Sequence, residues 1–160
     1  MRFAAALALA ALTLTAGCAK AAPAAPNTPN PTAFMAQNAL ADGVKTLPSG
    51  VQYKILKSGP TTGAHPVAAD MVKVNYEGAL LNGQVFDSSY KAGKPVVFQL
   101  GNLIPGWVDA VQQMRPGDEW VVYVPPSLGY GDEQKGPIPP NSVLVFRLEL
   151  LAVGADAAKP

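Results

Sequence analysis

Cysteine is nearly missing: of 160 residues, only Cys18 carries a thiol. A lone cysteine closes no internal disulfide, which excludes a disulfide-stapled scaffold and leaves Cys18 in need of another explanation. Histidine is equally scarce, with His65 alone in the polar stretch Thr61–Pro66. One cysteine and one histidine make no zinc-ligand cluster and no serine–histidine constellation. No glycines take the spacing of a phosphate-binding loop. Charge is thin and balanced, 12 Lys and Arg against 11 Asp and Glu, for a net +1. That leaves no basic footprint for nucleic acid and no polybasic run for anionic lipid. His65, Asp118, Asp132 and Glu133 read as solvated loop groups and not as catalytic ones.

What is abundant is unevenly placed. After Met1-Arg2, residues Phe3 to Leu14 form an apolar run. At twelve residues it is too short to span a bilayer but suits a signal-peptide core. Thr15-Ala16-Gly17-Cys18 comes next and resembles the bacterial lipobox, although Thr15 stands where an apolar residue is usual. The resemblance implies export, with residues 1–17 as signal peptide and Cys18 lipidated as the membrane anchor. Ordinary secretion with an incidental cysteine is the alternative. By resemblance to Gram-negative sorting rules, Ala19 in place of an aspartate favours the outer membrane over the inner one, if the source has two membranes. Residues 18–32 are Ala/Pro/Asn-rich, with Pro23, Pro26, Pro29 and Pro31. Such a segment builds no core and tends to extended polyproline II, reaching on the order of 40 Å as a tether.

Residues 33–49 read as a short helix and a turn. Thr32 is the expected cap, Phe34, Leu40 and Val44 are apolar, Gly43 is the stop, and Leu47-Pro48-Ser49-Gly50 turns the chain. Residues 50–154 then form one domain, with a tail at 155–160; a stretch of roughly 100–110 residues buries one core and not two. Val51, Tyr53 and Ile55 alternate with Gln52, Lys54 and Leu56, and Val72, Val74 and Tyr76 alternate with Lys73, Asn75 and Glu77. Period two with a polar face predicts half-buried antiparallel strands. Asn82-Gly83 predicts a two-residue type I′ hairpin. Trp120, Val122 and Val124 predict another strand, and Leu144, Phe146, Leu148 and Leu150 the last. Pro105 opens a short helix whose Trp107, Val111 and Met114 form one stripe, and Pro116-Gly117 stops it. The fold class is α+β: a curved antiparallel sheet of about five strands wrapped on one helix. The long Pro/Gly-rich loop from Pro125 to Asn141 is the segment expected to carry function.

Several segments, in order, resemble FKBP-type peptidyl-prolyl cis/trans isomerases. They are Val74-Asn75-Tyr76-Glu77-Gly78, Gly83 to Ser89, Leu103-Ile104-Pro105-Gly106-Trp107, Met114-Arg115-Pro116-Gly117-Asp118, Gly129-Tyr130-Gly131, and Ile138-Pro139-Pro140-Asn141 leading into Leu144-Val145-Phe146. The entry from Val44 to Tyr53 is similar to the macrophage-infectivity-potentiator branch. That branch often carries a long helical dimerisation region, of which only 33–43 remains here, so a monomer is expected.

The resemblance implies a proline pocket, with Asp87, Tyr130, Tyr76, Phe98 and Trp107 catalytic and Phe86, Val96, Leu103, Ile104, Ile138 and Phe146 holding substrate. Two departures stand out. Val96 replaces an aromatic wall residue found in many members, and the loop after Tyr130 is one residue shorter than in the small eukaryotic members and lacks their histidine. Without the resemblance, Trp107 and Tyr76 would read as core and Asp87-Ser88-Ser89 as a turn. The implied partners are proline-containing polypeptides, and macrolide inhibitors by resemblance only; no cofactor is implied. A non-catalytic chaperone or adaptor using the same groove is the alternative, and a structural envelope lipoprotein a more distant one.

Overall fold

The computed structural model describes residues 30–159. The signal peptide, Cys18 and all but the last residues of the tether lie outside the described residues. Among the described residues, no helix is long and apolar enough to cross a membrane.

Helix α1 (Pro31–Asn38) begins earlier than Thr32 predicts, with Asn30 as its cap, the side chain accepting from the Ala33 N–H at 3.2 Å. Proline lacks an N–H and fits the first helical position at no loss, which hands the capping role to the residue before it. The helix also stops short of Gly43, and Leu40 is 88% exposed instead of joining an apolar stripe. Beyond Gly43 lies a strand that the pattern did not predict, β1 (Val44–Thr46), paired antiparallel with β2 (Gln52–Lys57). The predicted Leu47–Gly50 turn is the cause. The Gly50 N–H donates to Leu47 O, and the Leu47 N–H to Val51 O, at 2.9 and 2.8 Å, so the reversed chain brings residues 44–46 onto the ladder.

Strands β3 (Met71–Leu80), β4 (Val85–Ser88), β5 (Val96–Gln99), β6 (Glu119–Val124) and β7 (Leu144–Val153) complete the sheet. It has seven strands, not about five, in the order β1-β2-β6-β7-β3-β4, with β5 also paired to β3. Every pairing is antiparallel. The extra strands are β1 and β5, three and four residues long, too brief to show a period. Short helix α2 (Ser89–Ala92) links β4 to β5, and α3 (Pro105–Val111) packs on the sheet.

Val72, Val74 and Tyr76 of β3, Trp120, Val122 and Val124 of β6, and Leu144, Phe146, Leu148 and Leu150 of β7 bury their predicted face. Opposite them lie Trp107, Ala110, Val111 and Met114. Strand β2 departs from its pattern. Gln52 is buried because α1 covers it: it donates to Met35 O and accepts from Asn38 Nδ2, both at 2.8 Å. Ile55 and Leu56 are exposed beside a bulge at the far end of the strand.

The β3–β4 hairpin is also a different turn. Gly83 alone takes positive φ (83°), and the bonds Gly83 N–H to Leu80 O and Leu80 N–H to Gln84 O, both 2.9 Å, enclose a three-residue loop. This is a type I turn with a left-handed glycine. Asn82 accepts from the Gln84 N–H at 2.9 Å, so its side chain serves the loop without needing the left-handed region itself. Asp118 is not a solvated charge. It is 7% exposed and accepts from the Gly59 N–H at 2.6 Å and the Arg115 N–H at 2.8 Å, tying the 58–66 loop to the turn between α3 and β6. His65 is exposed in that loop, where its Nε2 accepts from Arg115 Nε at 3.0 Å.

Candidate active site

Strand β3 is shared on one side by two short partners: β5 pairs with residues 71–74 and β4 with 77–79. Tyr76 falls in the gap between them. Its N–H finds no strand partner there and donates instead to the Ser89 hydroxyl at 2.8 Å. A buried backbone donor needs such a substitute. The gap is also what opens the sheet at Tyr76, so that side chains from six segments meet there.

Those side chains are Tyr76 from β3, Phe86 and Asp87 from β4, Phe98 from β5, Leu103, Ile104 and Trp107 at the start of α3, Tyr130 from the long loop, and Phe146 from β7. They line a cavity of about 250 Å³. Pockets for drug-sized ligands run roughly 300–1,000 Å³, so this one suits a single small ring and its neighbouring amide. Trp107 is 4% exposed and lies at the base. Tyr76, Phe146 and Phe98 stand nearly perpendicular to it, at 80°, 85° and 88°, with centroids 5.3, 5.2 and 6.2 Å away. Phe86 meets Phe146 edge-on at 5.7 Å. Edge-to-face contacts are the arrangement that ring quadrupoles favour, so the box is rigid without being filled. Gly78 makes room for it: a Cβ there would lie 2.6 Å from the Phe86 ring and 2.8 Å from that of Phe146.

Polar groups are few. The Tyr76 hydroxyl donates to Asp87 Oδ2 at 2.6 Å. Burial first, and then the Asp87 carboxylate, push the Tyr76 phenol well above its ordinary range, so it stays protonated and donating. Asp87 is exposed at the rim and also accepts from the Ser88 N–H at 2.9 Å. The Ile104 carbonyl starts α3 by accepting from Trp107 and Val108, whereas its N–H donates to no group among the described residues. No group of three or more His, Cys, Asp or Glu among the described residues could hold a metal.

Nine of the eleven residues singled out in the sequence as pocket residues thus meet at one cavity. The other two lie elsewhere. Ile138 is 4% exposed and sits in the core, and Val96, part-buried on β5, packs against that core two residues from Phe98. Ser89 and Gly78 lie inside the motifs of the resemblance, which implies no pocket role for either, though both shape the site. Ser89 carries no periodic signal, since its importance comes from the gap between β4 and β5.

Comparison with known proteins accords with this geometry. The family described as "FKBP-type peptidyl-prolyl cis-trans isomerase" matches residues 63–151. The chain belongs to this family. The domain described as amino-terminal to FKBP-type isomerases matches residues 5–55. The peptidyl-prolyl cis-trans isomerase Mip of Coxiella burnetii is 49% identical over 122 residues, covering 76% of this chain and 52% of Mip. The outer membrane protein MIP of Legionella longbeachae is 48% identical, covering 76% and 52%. Among solved structures, FkpA from Escherichia coli superposes with a TM-score of 0.73 at 39% identity, covering 78% of this chain and 57% of FkpA. A peptidyl-prolyl isomerase from Pseudomonas syringae gives 0.72 at 38% identity, covering 78% and 90%. The chain spans about half the length of the curated relatives it matches. The FKBP fold is therefore the expected α+β class, here with seven strands.

Proposed function

We propose that the chain accelerates cis/trans isomerisation of X–Pro bonds in polypeptides, with the aromatic box over Trp107 as its active site. The observation that carries this reading is a rigid, apolar cavity the size of one proline with isolated polar groups at its rim.

Turning a peptide bond costs about 18–20 kcal/mol because it breaks amide resonance. X–Pro bonds populate both isomers and exchange over tens to hundreds of seconds, so the reaction needs speed and no change of equilibrium. No bond is broken and no nucleophile is required. A catalyst has to bind the twisted amide better than either planar form. The twisted amide has less charge separation than the planar one, and a dry aromatic cage favours it for that reason. Trp107, Phe98 and Phe146 would grip the ring. The Ile104 N–H and the Tyr130 hydroxyl would hold flanking carbonyls. Asp87, held by Tyr76, would bias the field at the turning amide. The same residues in a proline-binding adaptor would retain affinity without turnover, and nothing observed favours that second reading.

The clients would be proline-containing segments of exported proteins. Cell-envelope placement is supported by the resemblance to the Legionella relative named an outer membrane protein and by the lipobox-like Thr15–Cys18. Lipidation at Cys18 predicts incorporation of labelled palmitate that Cys18→Ser abolishes; label retained in that variant would refute it.

A protease-free assay of cis-to-trans relaxation in proline peptides tests the activity. Relaxation accelerated by substoichiometric full-length chain is the expected result, and unaccelerated relaxation with a folded chain and measurable peptide binding would leave only the adaptor reading.

A further inference from the structure

Tyr130 reaches the cavity from a loop that belongs to no strand or long helix, so something must hold it there. Tyr130 itself accepts from the Glu133 N–H at 3.2 Å, and the remaining bonds brace the residues around it. The Gly131 N–H donates to Pro126 O at 2.9 Å, closing the chain just beneath Tyr130. Lys135 and Ile138 exchange backbone bonds of 3.0 and 2.9 Å, which turn the tip. The Asn141 N–H then returns across the base and donates to Gly131 O at 2.7 Å. Next to it, the Ser142 hydroxyl donates to Pro139 O at 2.7 Å. The residue after Tyr130 is therefore held at both its N–H and its carbonyl, and the second hold comes from Asn141.

Asn141 is also the one non-glycine residue with positive φ among the described residues, at 56°. Most side chains disfavour that region, whereas asparagine tolerates it and glycine adopts it freely. The Asn141 side chain is exposed and does not line the aromatic cavity. Its contribution is therefore the backbone geometry that aims its N–H at Gly131.

We propose that Asn141 is a positioning residue. Its left-handed backbone closes the loop base on Gly131 and thereby holds Tyr130 at the proline cavity. This rests on the isomerase reading for its kinetic readout, but peptide affinity reads the same geometry if turnover fails.

The test compares full-length wild type, Asn141→Val, Asn141→Gly, Tyr130→Phe and the double variant Asn141→Val/Tyr130→Phe. Folding is checked by circular dichroism, and each is assayed for turnover and for proline-peptide affinity by NMR titration. A β-branched residue at this φ should reduce kcat/KM by about five- to thirtyfold, the population penalty of the left-handed region. Asn141→Gly should recover activity to within about twofold of wild type. In the Tyr130→Phe background, adding Asn141→Val should cost much less than it does alone, because the group it positions has already lost its hydroxyl. Amide exchange at position 141 should speed up in the Val variant and not in the Gly variant. If wild type shows no turnover, the same ordering is expected in peptide affinity. The proposal is overturned by a Val variant as active and as tight-binding as wild type, by a Gly variant as impaired as Val, or by an undiminished Val effect in the Tyr130→Phe background.

Discussion

The Tyr76 hydroxyl sits 2.6 Å from Asp87 Oδ2, joining a side chain at the base of the aromatic box to a carboxylate at its rim. The bond fixes both side chains, since the Tyr76 hydroxyl makes no other hydrogen bond among the described residues and the ring is otherwise held by aromatic contacts. A hydrogen bond to a charged group contributes roughly 1.5–3 kcal/mol. Tyr76→Phe and Asp87→Ala are expected to lower kcat/KM by about ten- to a hundredfold and not to abolish turnover. Peptide isomerisation kinetics with both folded variants measure this. Full activity in either would remove the pair from the mechanism.

Tyr76 also sets an alkaline limit on stability. Burial, and then Asp87, raise Tyr76 above its ordinary pKa near 10. Below that value the folded and unfolded chains both carry the proton. Above it the unfolded chain ionises first, so the contribution is intact below about pH 10 and is lost as pH rises beyond it. Urea unfolding between pH 9 and 11 should show stability falling by up to about 1.4 kcal/mol per pH unit from this group. Tyr76→Phe should make the fall shallower but not flat, because Tyr90 is also raised, chiefly by burial. An unchanged slope in Tyr76→Phe would contradict the assignment.

Gly78→Ala tests the space inside the box. Its Cβ would meet Phe86 and Phe146 at 2.6 and 2.8 Å, so at least one cavity-wall ring has to shift. Overpacking of this kind costs about 1–3 kcal/mol. The variant should lose that much in chemical denaturation and lose turnover beyond what its unfolded fraction explains. Normal kinetics with normal stability would show the rings to be free to move.

Asp118 gives the opposite expectation. It is buried, serves two backbone donors and lies outside the cavity. Asp118→Ala strands the Gly59 and Arg115 N–H groups, each a loss of about 1–3 kcal/mol. Thermal unfolding should move down markedly while kcat/KM of the folded protein stays within about twofold of wild type. A large kinetic defect without a stability loss would reverse its role.

These residues also show how far the fold and the site can be read from the sequence. The long strands β3, β6 and β7 announce themselves by period two, and their buried faces are the ones expected. Helix α3 does so through Pro105 and the Trp107–Val111 spacing, but it ends at Val111, short of the predicted Pro116-Gly117 stop, and Met114 is buried from the turn beyond it. Nine pocket residues are legible through the family resemblance, eight of them inside its ordered motifs and Phe98 outside them. The illegible features depend on partners remote in sequence. Val44–Thr46 is a strand only because the Leu47–Gly50 turn brings it to β2. Gln52 is buried only because α1 lies over it. Asp118 looks like a loop charge until Gly59, 59 residues earlier, arrives to donate to it. Ser89 matters because two short strands leave a gap beside Tyr76, a fact no local pattern encodes.

Every kinetic expectation rests on the Trp107 box turning X–Pro bonds over. Exchange NMR on an Ala–Pro peptide at equilibrium, with a small fraction of full-length chain added, probes this without any coupled step. Cis and trans signals should exchange within about a second, against tens to hundreds of seconds unassisted. The isomer ratio should not change, and Trp107→Leu in a folded variant should strongly reduce the acceleration. Exchange that stays at the unassisted rate with folded wild type, or acceleration that Trp107→Leu leaves intact, would contradict catalysis at this box.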